Sequence, residues 1–166
     1  IISGTARGKI KIRNTMFSRK NAVSADLADK AKYIADVLHF GAVQQDVELH
    51  DCYTDDNSAI VIKQINLLGK IGLQIENTKV DLRKIASMNT NFVVNGGEIV
   101  SADIASTAKI DINNCAISGQ FTAAINDLIK FSGGSYLASA IADNIFIVSS
   151  LSSKKQLVKF SDFEIR

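Results

Sequence analysis

The sequence predicts an all-β protein in which short parallel strands stack as a solenoid. Apolar residues recur in pairs separated by one residue, and a turn-forming residue follows most of these pairs at a fixed distance. Asn, Asp, Ser and Gly together fill about 31% of the 166 positions, and the chain contains no Pro and no Trp. Isoleucine combined with small turn-forming residues is typical of short strands joined by tight turns. The length suits one domain with its own core.

The apolar pairs define nine windows along the chain. In eight of them, the residue four positions after the first apolar residue is Asn, Asp, Gly or Ser, and Gln64 is the exception. The repeat is loose, since the interval from Ile60 to Leu73 is shorter than the interval from Leu73 to Phe92. The pairs are Ile10/Ile12, Val47/Leu49, Ile60/Ile62, Leu73/Ile75, Phe92/Val94, Ile110/Ile112, Ile129/Phe131, Ile145/Ile147 and Val158/Phe160.

The alternation within each window indicates a strand with one buried face. Residues i and i+2 of a strand point to the same side, so each apolar pair should face the core. The Asn, Asp or Gly that follows tolerates left-handed backbone angles and turns the chain. A second apolar residue, seven positions after the first in most windows, then begins a strand on a new face. Repetition of this unit predicts a parallel β-helix, and the irregular spacing favours a right-handed one over a strict left-handed hexapeptide helix.

A second interpretation takes each window as a β-hairpin. The segment "FVVNGGEIVSA", residues 92–102, would then turn at Asn95, Gly96 and Gly97. Hairpins would build an antiparallel β-sandwich or meander instead. The solenoid is favoured because one turn position persists through the windows and every window runs in the same sense.

One segment near the N-terminus departs from the strand pattern and predicts a short α-helix. The interpretation divides a single domain into an N-terminal strand region (1–23), a helix (24–40) and the solenoid (41–166). Ser24 is suited to the N-cap of the helix, which would cover the end of the stack or connect the strand region to it. Its apolar stripe, at i, i+4, i+7 and i+11, is Leu27, Ala31, Ile34 and Leu38.

Composition argues against several classes of protein. A net charge of +2 is too small to indicate nucleic-acid binding. Two cysteines, Cys52 and Cys115, form neither a disulfide framework nor a zinc-site spacing, and we expect both to be small buried or half-buried residues. No apolar run approaches the roughly 18 residues of a membrane span. Because the chain begins at Ile1, we expect a fragment, a processed product or an excised domain.

The sequence predicts no cofactor and no catalytic constellation. The only histidines, His39 and His50, accompany no recognisable nucleophile motif. The densest polar cluster, "HDCYTDDNS", provides oxygen ligands for a divalent cation at Asp55, Asp56 and Asn57. The alternative for these three residues is an ordinary polar turn.

A short row of basic residues lies near the start of the chain. Lys9, Lys11 and Arg13 alternate and should share one face of a strand. They predict a contact with an anionic partner or, alternatively, a solvated face that protects a sheet edge from aggregation.

Two features resemble proteins of viral and bacterial surfaces. The segment "NAVSADLADKAKYIAD", residues 21–36, resembles the Ala/Asp/Lys-rich stretches of phage tail fibres. The Asn/Gly/Ile windows are similar to the β-helical parts of tail spikes, tail fibres and bacterial surface adhesins. The resemblance implies a rigid, protease-resistant shaft, extracellular or on a virion, that forms homo-oligomers such as trimers and presents or binds surface glycans. It carries over no functional residues.

Two other functions are compatible with the same architecture. A self-assembling cytoskeletal solenoid that resembles the bactofilins would be cytoplasmic and would stack end to end. A polysaccharide lyase or hydrolase would need grouped carboxylates, which the sequence does not place side by side. Fold alone does not decide between them, and the sequence favours the non-enzymatic structural and adhesive role.

Overall fold

The structure is a computed structural model that describes residues 2–4, 9–17, 38–43, 46–66, 71–87, 90–106, 108–137, 145–152 and 157–166. These residues are all-β. The strands in chain order are β1 (Ile2–Gly4), β2 (Lys9–Arg13), β3 (Met16–Phe17), β4 (Leu38–Val43), β5 (Asp46–His50), β6 (Tyr53–Thr54), β7 (Ile60–Asn66), β8 (Ile71–Glu76), β9 (Lys79–Ser87), β10 (Thr90–Asn95), β11 (Glu98–Ser106), β12 (Ile110–Ile117), β13 (Phe121–Ile125), β14 (Leu128–Tyr136), β15 (Phe146–Ser150), β16 (Leu157–Ser161) and β17 (Glu164–Ile165).

All strand pairings of the described residues are parallel. Fifteen strands form one sheet, and β3 and β6 form a second, two-stranded sheet. The hairpin interpretation is therefore wrong. The strands on either side of the Asn95–Gly97 turn, β10 and β11, do not pair with each other in the described part; Phe92 of β10 pairs with Leu73 and with Ile110 instead.

One row of strands, which we call ladder A, contains seven of the nine sequence windows. It consists of β2, β5, β8, β10, residues 110–113 of β12, residues 128–132 of β14, and β16. In the middle of the stack the chain returns to this ladder at nearly equal intervals, at Leu73, Phe92, Ile110 and Ile129. The other intervals between successive strands of ladder A are longer, but the apolar pairs of neighbouring strands are in register throughout.

The predicted turn position is confirmed in every strand of ladder A. The residue four positions after the first apolar residue has a positive φ in all seven windows of the ladder. Only glycine, and to a lesser degree Asn and Asp, adopts this conformation at low cost. The backbone N–H groups of the turns donate to the next strand, for example from Asn77 to Asn95 O at 2.9 Å. The seven residues are Asn14, Asp51, Asn77, Gly96, Asn114, Gly133 and Asp162.

After the turn, the chain enters two further rows of strands. Ladder B holds the apolar residue seven positions after the start of several windows: Ile99 pairs with both Val80 and Ile117, and Ile117 pairs with Tyr136. Ladder C lies beyond it. It consists of β1, β4 and the later parts of β7, β9 and β11, followed by β13 and β15.

The core is a set of stacked columns of inward side chains from the three ladders. In ladder A, Leu49, Ile75, Ile112 and Phe131 are almost completely buried, while the residues between the members of each pair are turned outward. Phe121 of ladder C packs edge-on against Phe131 of ladder A, with ring centroids 5.6 Å apart. Burial of this kind is the main stabilising contribution to such a fold.

Two windows do not belong to ladder A. Ile60 and Ile62 are buried but lie in β7, which pairs with β9 and β4. Ile145 and Ile147 are 41% and 49% exposed, and Phe146 packs against the core instead. The prediction that Ile145 and Ile147 face inward is therefore wrong. The alternation of this strand is shifted by one residue, and such a shift moves every side chain to the opposite face.

The predicted N-terminal helix falls mostly outside the described residues, which omit 18–37. Its last three residues, 38–40, belong to strand β4, so Leu38 is not part of a helical stripe there. Leu38 pairs with Ile62 of β7. β1 and β2, from the predicted N-terminal strand region, join the same sheet as the rest of the described chain.

Candidate functional site

The predicted basic row lies on the outward face at the N-terminal end of ladder A. β2 pairs with β5 so that Lys11 is opposite Glu48 and Arg13 is opposite His50. The alternating apolar residues Ile10 and Ile12 face the core. The three basic side chains therefore share one face, as the sequence predicts.

All three basic side chains converge on a single carboxylate, that of Glu48. Its oxygens lie 2.9 Å from Lys9 Nζ, 3.3 Å from Lys11 Nζ and 3.8 Å from Arg13 Nη2. The residue is only 7% exposed although it points outward, because its polar neighbours cover it. Alternation within one strand does not predict this convergence, since Glu48 belongs to a different window and is far from Lys11 along the chain.

The ion pairs change the acidity of the cluster. The hydrogen bond from Lys9, with further contributions from Lys11, lowers the pKa of Glu48 from 4.5 to about 2, although burial opposes the shift. The same hydrogen bond raises the pKa of Lys9. Glu48 is therefore a fixed negative charge at neutral pH.

His50 connects Glu48 to a second carboxylate. Its Nδ1 lies 2.8 Å from an oxygen of Glu76, and its Nε2 lies 3.6 Å from an oxygen of Glu48. Nε2 is buried and makes no hydrogen bond to the described residues. The carboxylates of Glu48, Glu76 and Asp46 oppose the three cations, so this face carries little net charge. We call Lys9, Lys11, Arg13, Glu48, His50 and Glu76 the charged cluster.

A contact of Lys9, Lys11 and Arg13 with an external anion stays a prediction. In the structure, their anionic partner is Glu48 of the same chain. The arrangement holds β2 against β5 through side chains as well as through backbone hydrogen bonds. Its clearest chemical role is therefore cross-strand stabilisation.

A second polar surface is an open groove of about 450 Å³ beside the left-handed turns. The loop after β6 forms one wall, and the first residues of β9 and β11 form the floor. Tyr53 at its edge is 53% exposed. The polar and aromatic residues that line the groove are Tyr53, Thr54, Asn57, Ser58, Asn77, Lys79 and Glu98.

The groove has a fixed polar floor. Lys79 and Glu98 are direct neighbours on paired strands, and their Nζ and Oε2 atoms lie 3.3 Å apart. Ser118 Oγ lies 2.5 Å from the other carboxylate oxygen of Glu98. Asn77 Nδ2 donates to Asp51 Oδ1 at 3.2 Å. These contacts limit the rotamers of the charged and amide groups before any ligand arrives.

The predicted metal ligands Asp55, Asp56 and Asn57 lie in the loop that forms the wall of this groove. Asp56 Oδ1 accepts hydrogen bonds from Thr54 Oγ1 at 3.0 Å, Ser58 N at 3.1 Å and Ser58 Oγ at 2.6 Å. Asn57 has φ 57°. These bonds are those of a side-chain-stabilised turn, and a cation at this position remains a prediction. No group of three or more His, Cys, Asp and Glu residues in the described part is arranged to hold a metal ion.

Both cysteines are buried, as predicted. Cys52 and Cys115 occupy the position directly after the left-handed turn, and Cys115 is completely buried. Burial raises the pKa of the Cys115 thiol to about 12. The thiol is therefore un-ionised at neutral pH and unsuited to act as a nucleophile.

Sequence reasoning missed the acidic half of the charged cluster and the groove. Both sites combine residues from windows that are far apart in the chain, such as Tyr53 with Glu98. The signal available for the charged cluster was the fixed register of the windows, which places Lys11 beside Glu48 once the first two windows pair.

Comparison of the chain with protein-family models, with curated proteins and with solved structures finds no match. In the part of the chain that the structure describes, no helix has the length and apolar character needed to cross a membrane.

Proposed function

We propose that the chain is a right-handed parallel β-helix that serves as a non-enzymatic structural and adhesive shaft, extracellular or on a virion. The observation that carries this proposal is the return of the chain to ladder A at nearly equal intervals between Leu73 and Ile129, with the apolar pairs in register. A chain that visits three ladders in turn and comes back one strand further on coils around a common core. Parallel crossover connections are almost always right-handed, which supports the handedness.

The stacked columns suit a mechanical role. The interior strands of ladder A pair on both sides, as β10 does with β8 and β12. Bending the shaft would separate hydrogen-bonded strands and open the core. Proteases bind extended, accessible backbone, whereas the backbone here is already paired with its neighbours. Rigidity and resistance to proteolysis follow from the same hydrogen bonds.

The groove supports the adhesive part of the proposal. A sugar ring has an apolar face and a rim of hydroxyl groups. The exposed ring of Tyr53 provides an apolar surface with a polar tip. Asn57 and the Lys79–Glu98 pair provide donors and acceptors on the same groove. We therefore assign surface glycans to this groove as ligands.

Binding to immobilised surface polysaccharides tests this role. Tyr53→Ala should reduce binding about tenfold, because it removes the aromatic face. Met16→Ala is a matched control, since Met16 is 52% exposed and is the in-register neighbour of Tyr53 on β3 but does not line the groove. Equal loss of binding in both variants, or no binding by the wild type, would remove the glycan assignment.

The non-enzymatic part of the proposal is tested by incubating the same polysaccharides with the protein. We expect their chain length to stay constant over a day. Depolymerisation that is lost in Asp55→Asn or Asp56→Asn would contradict the proposal and make the groove a catalytic site.

A further inference from the structure

The groove beside the left-handed turns exists because one segment leaves the regular path of the chain. In a regular layer, which runs from one return to ladder A to the next, the strand of ladder B begins two residues after the turn, as β9 does after Asn77. β6 also begins two residues after its turn residue, Asp51, but in the described part it pairs only with β3. On this side Val80 of ladder B pairs with Ile60, so residues 53–59 form an excursion from the stack.

The excursion is held in place by polar groups of its own and of the next layer. Thr54 is 4% exposed, and its Oγ1 lies 2.8 Å from Ser58 O. Just before the excursion, the backbone N–H of Cys52 donates to Thr78 Oγ1 at 3.2 Å. The wall of the groove is therefore attached to the floor before a ligand binds, which reduces the conformational entropy lost on binding.

The floor of the groove crosses neighbouring strands of ladder B. Lys79 pairs with Glu98, and Glu98 pairs with Ala116, so the three residues form one outward column. Neighbouring strands are about 4.8 Å apart, and the column therefore spans about 10 Å. Tyr53 belongs to the preceding layer and extends the lining on the Lys79 side. A single sugar ring would cover only part of this surface, whereas an oligosaccharide laid across the strands would contact all of it.

The ionic groups of the groove are already paired with each other. Lys79 is the only cation among the described residues that line it, and its Nζ lies 3.3 Å from Glu98 Oε2. The other carboxylate oxygen of Glu98 accepts a hydrogen bond from Ser118. The carboxylate of Asp51 lies beside the groove, where it accepts from Asn77. An anionic ligand would have to displace Glu98 from Lys79 and would then lie near two carboxylates.

Hydroxyl groups suit this ion pair better than charged groups do. A hydroxyl both donates and accepts, so it can accept from Lys79 and donate to Glu98 at the same time. A carboxylate of a ligand only accepts and is repelled by Glu98, and an ammonium group only donates and is repelled by Lys79. Neighbouring hydroxyls of a sugar therefore match the pair, while the apolar face of a ring can pack on Tyr53.

We propose that the groove binds an uncharged oligosaccharide, laid across the strands of ladder B, and discriminates against acidic glycans. The inference rests on the proposed glycan binding and names the chemical class of the ligand. Its selectivity comes from the ion pair: Glu98 satisfies the charge of Lys79, while both groups keep hydrogen-bonding capacity for hydroxyls.

Matched pairs of polysaccharides test this selectivity. Hyaluronate, alginate and polygalacturonate are immobilised both in their native, acidic forms and after reduction of their carboxylates to alcohols, which keeps the sugar backbone and removes the charge. We expect the protein to bind reduced polysaccharide at least about tenfold more tightly than the native form. Added sodium chloride should not weaken binding to the reduced form, because no ion pair with the ligand is formed.

Glu98→Gln sharpens the test, because it keeps the size of the side chain and leaves Lys79 without its carboxylate. It should weaken binding to the reduced form and strengthen binding to the native form, each by about tenfold. Glu164→Gln is the matched control. Glu164 continues the same outward column of ladder B and is ion-paired with Arg166, but it does not line the groove. This variant should bind both forms like the wild type.

Native forms that bind as tightly as the reduced forms would overturn the inference, and so would a Glu98→Gln variant that binds both forms like the wild type. A free monosaccharide that competes as well as an oligosaccharide would overturn the contact across the strands. In each of these cases the protein still binds glycans, so the proposed function stands. Absence of binding to every polysaccharide in both forms would instead remove the proposed glycan binding, so the two failures are distinguishable.

Discussion

Ladder A and ladder C belong to one sheet, yet only ladder A keeps a constant register in the described residues. The pairing of β1 with β4 in ladder C is irregular, and so are the pairings of β9 with β7 and with β11 across ladders B and C. Each strand of ladder A is followed by a residue with positive φ, whereas Asn126 and Leu151, the described residues that directly follow strands of ladder C, have no positive φ. The pairings of β13 with β11 and with β15 are regular without such a turn, so we infer that the left-handed turn adds to the apolar alternation in holding ladder A in register.

The largest expected difference between the ladders concerns the inward columns. Ile112→Asp would place a carboxylate in the completely buried column of ladder A and should reduce the free energy of unfolding by about 4 kcal/mol or more. Ile147→Asp, in ladder C, should change it by about 0.5 kcal/mol or less because the side chain is exposed. Urea titration measures both values, and similar losses in the two variants would show that the inward face is assigned incorrectly.

The next effect concerns the turn itself. Gly134 has φ 82°, and a Cβ there would overlap the backbone of Cys115 on the neighbouring strand. Gly134→Ala should therefore cost about 2–4 kcal/mol of stability. Gly72→Ala is the control, because Gly72 lies within ladder A and a Cβ there would meet only the side chain of Asp46. If both variants unfold at the same urea concentration, the turn does not restrict the register as proposed.

A smaller loss of stability is expected at Asn77, where two substitutions distinguish the cost of the positive φ from the loss of the side-chain hydrogen bond. Asn77→Ala removes the bond to Asp51 and puts alanine at φ 47°, which should cost about 1–2 kcal/mol. Asn77→Gly removes only the hydrogen bond and should cost less, because glycine adopts this φ freely. Thermal unfolding of both variants should therefore rank Asn77→Ala below Asn77→Gly. Because both variants lack the side-chain bond, equal melting temperatures would make that bond the dominant contribution, and the reverse order would contradict the expected cost of the positive φ.

The smallest effect is the pH dependence of the charged cluster. Because the pKa of Glu48 in the folded chain is about 2, below its ordinary 4.5, its stabilising contribution is present above about pH 4.5 and is lost as the pH falls towards 2. Glu48→Gln should therefore lower the melting temperature at pH 7, with a difference from wild type that shrinks between pH 4.5 and 2. A difference that does not depend on pH would contradict the assigned pKa.

The strands and turns could be predicted because both depend on local rules. Alternation determines which side chains face inward, and only a few residue types tolerate a positive φ. Ladder membership was harder to predict, because Ile60/Ile62 and Ile145/Ile147 have the same alternation as the other windows. The distinguishing residues were Gln64 and Ser149 at the turn position, since the seven windows of ladder A have Asn, Asp or Gly there.

The candidate sites depend on contacts between distant windows, which local rules do not determine. The shared face of Lys9, Lys11 and Arg13 follows from alternation within one strand. Their convergence on Glu48 requires β2 to pair with β5 across the long interval between the first two windows. The groove requires three separate segments to meet in the correct order. Registers of this kind become visible only after the strands are assigned to ladders.

The constant register of ladder A has a consequence for how such a chain changes in evolution. A segment such as 92–109, from one return to ladder A to the next, contains one complete set of ladder strands and its turn. In the proposed β-helix each set would pack mainly on its two neighbours, so duplication of the corresponding gene segment would insert one more layer and leave the other layers unchanged. On this proposal, the length of the stack can vary in steps of one layer.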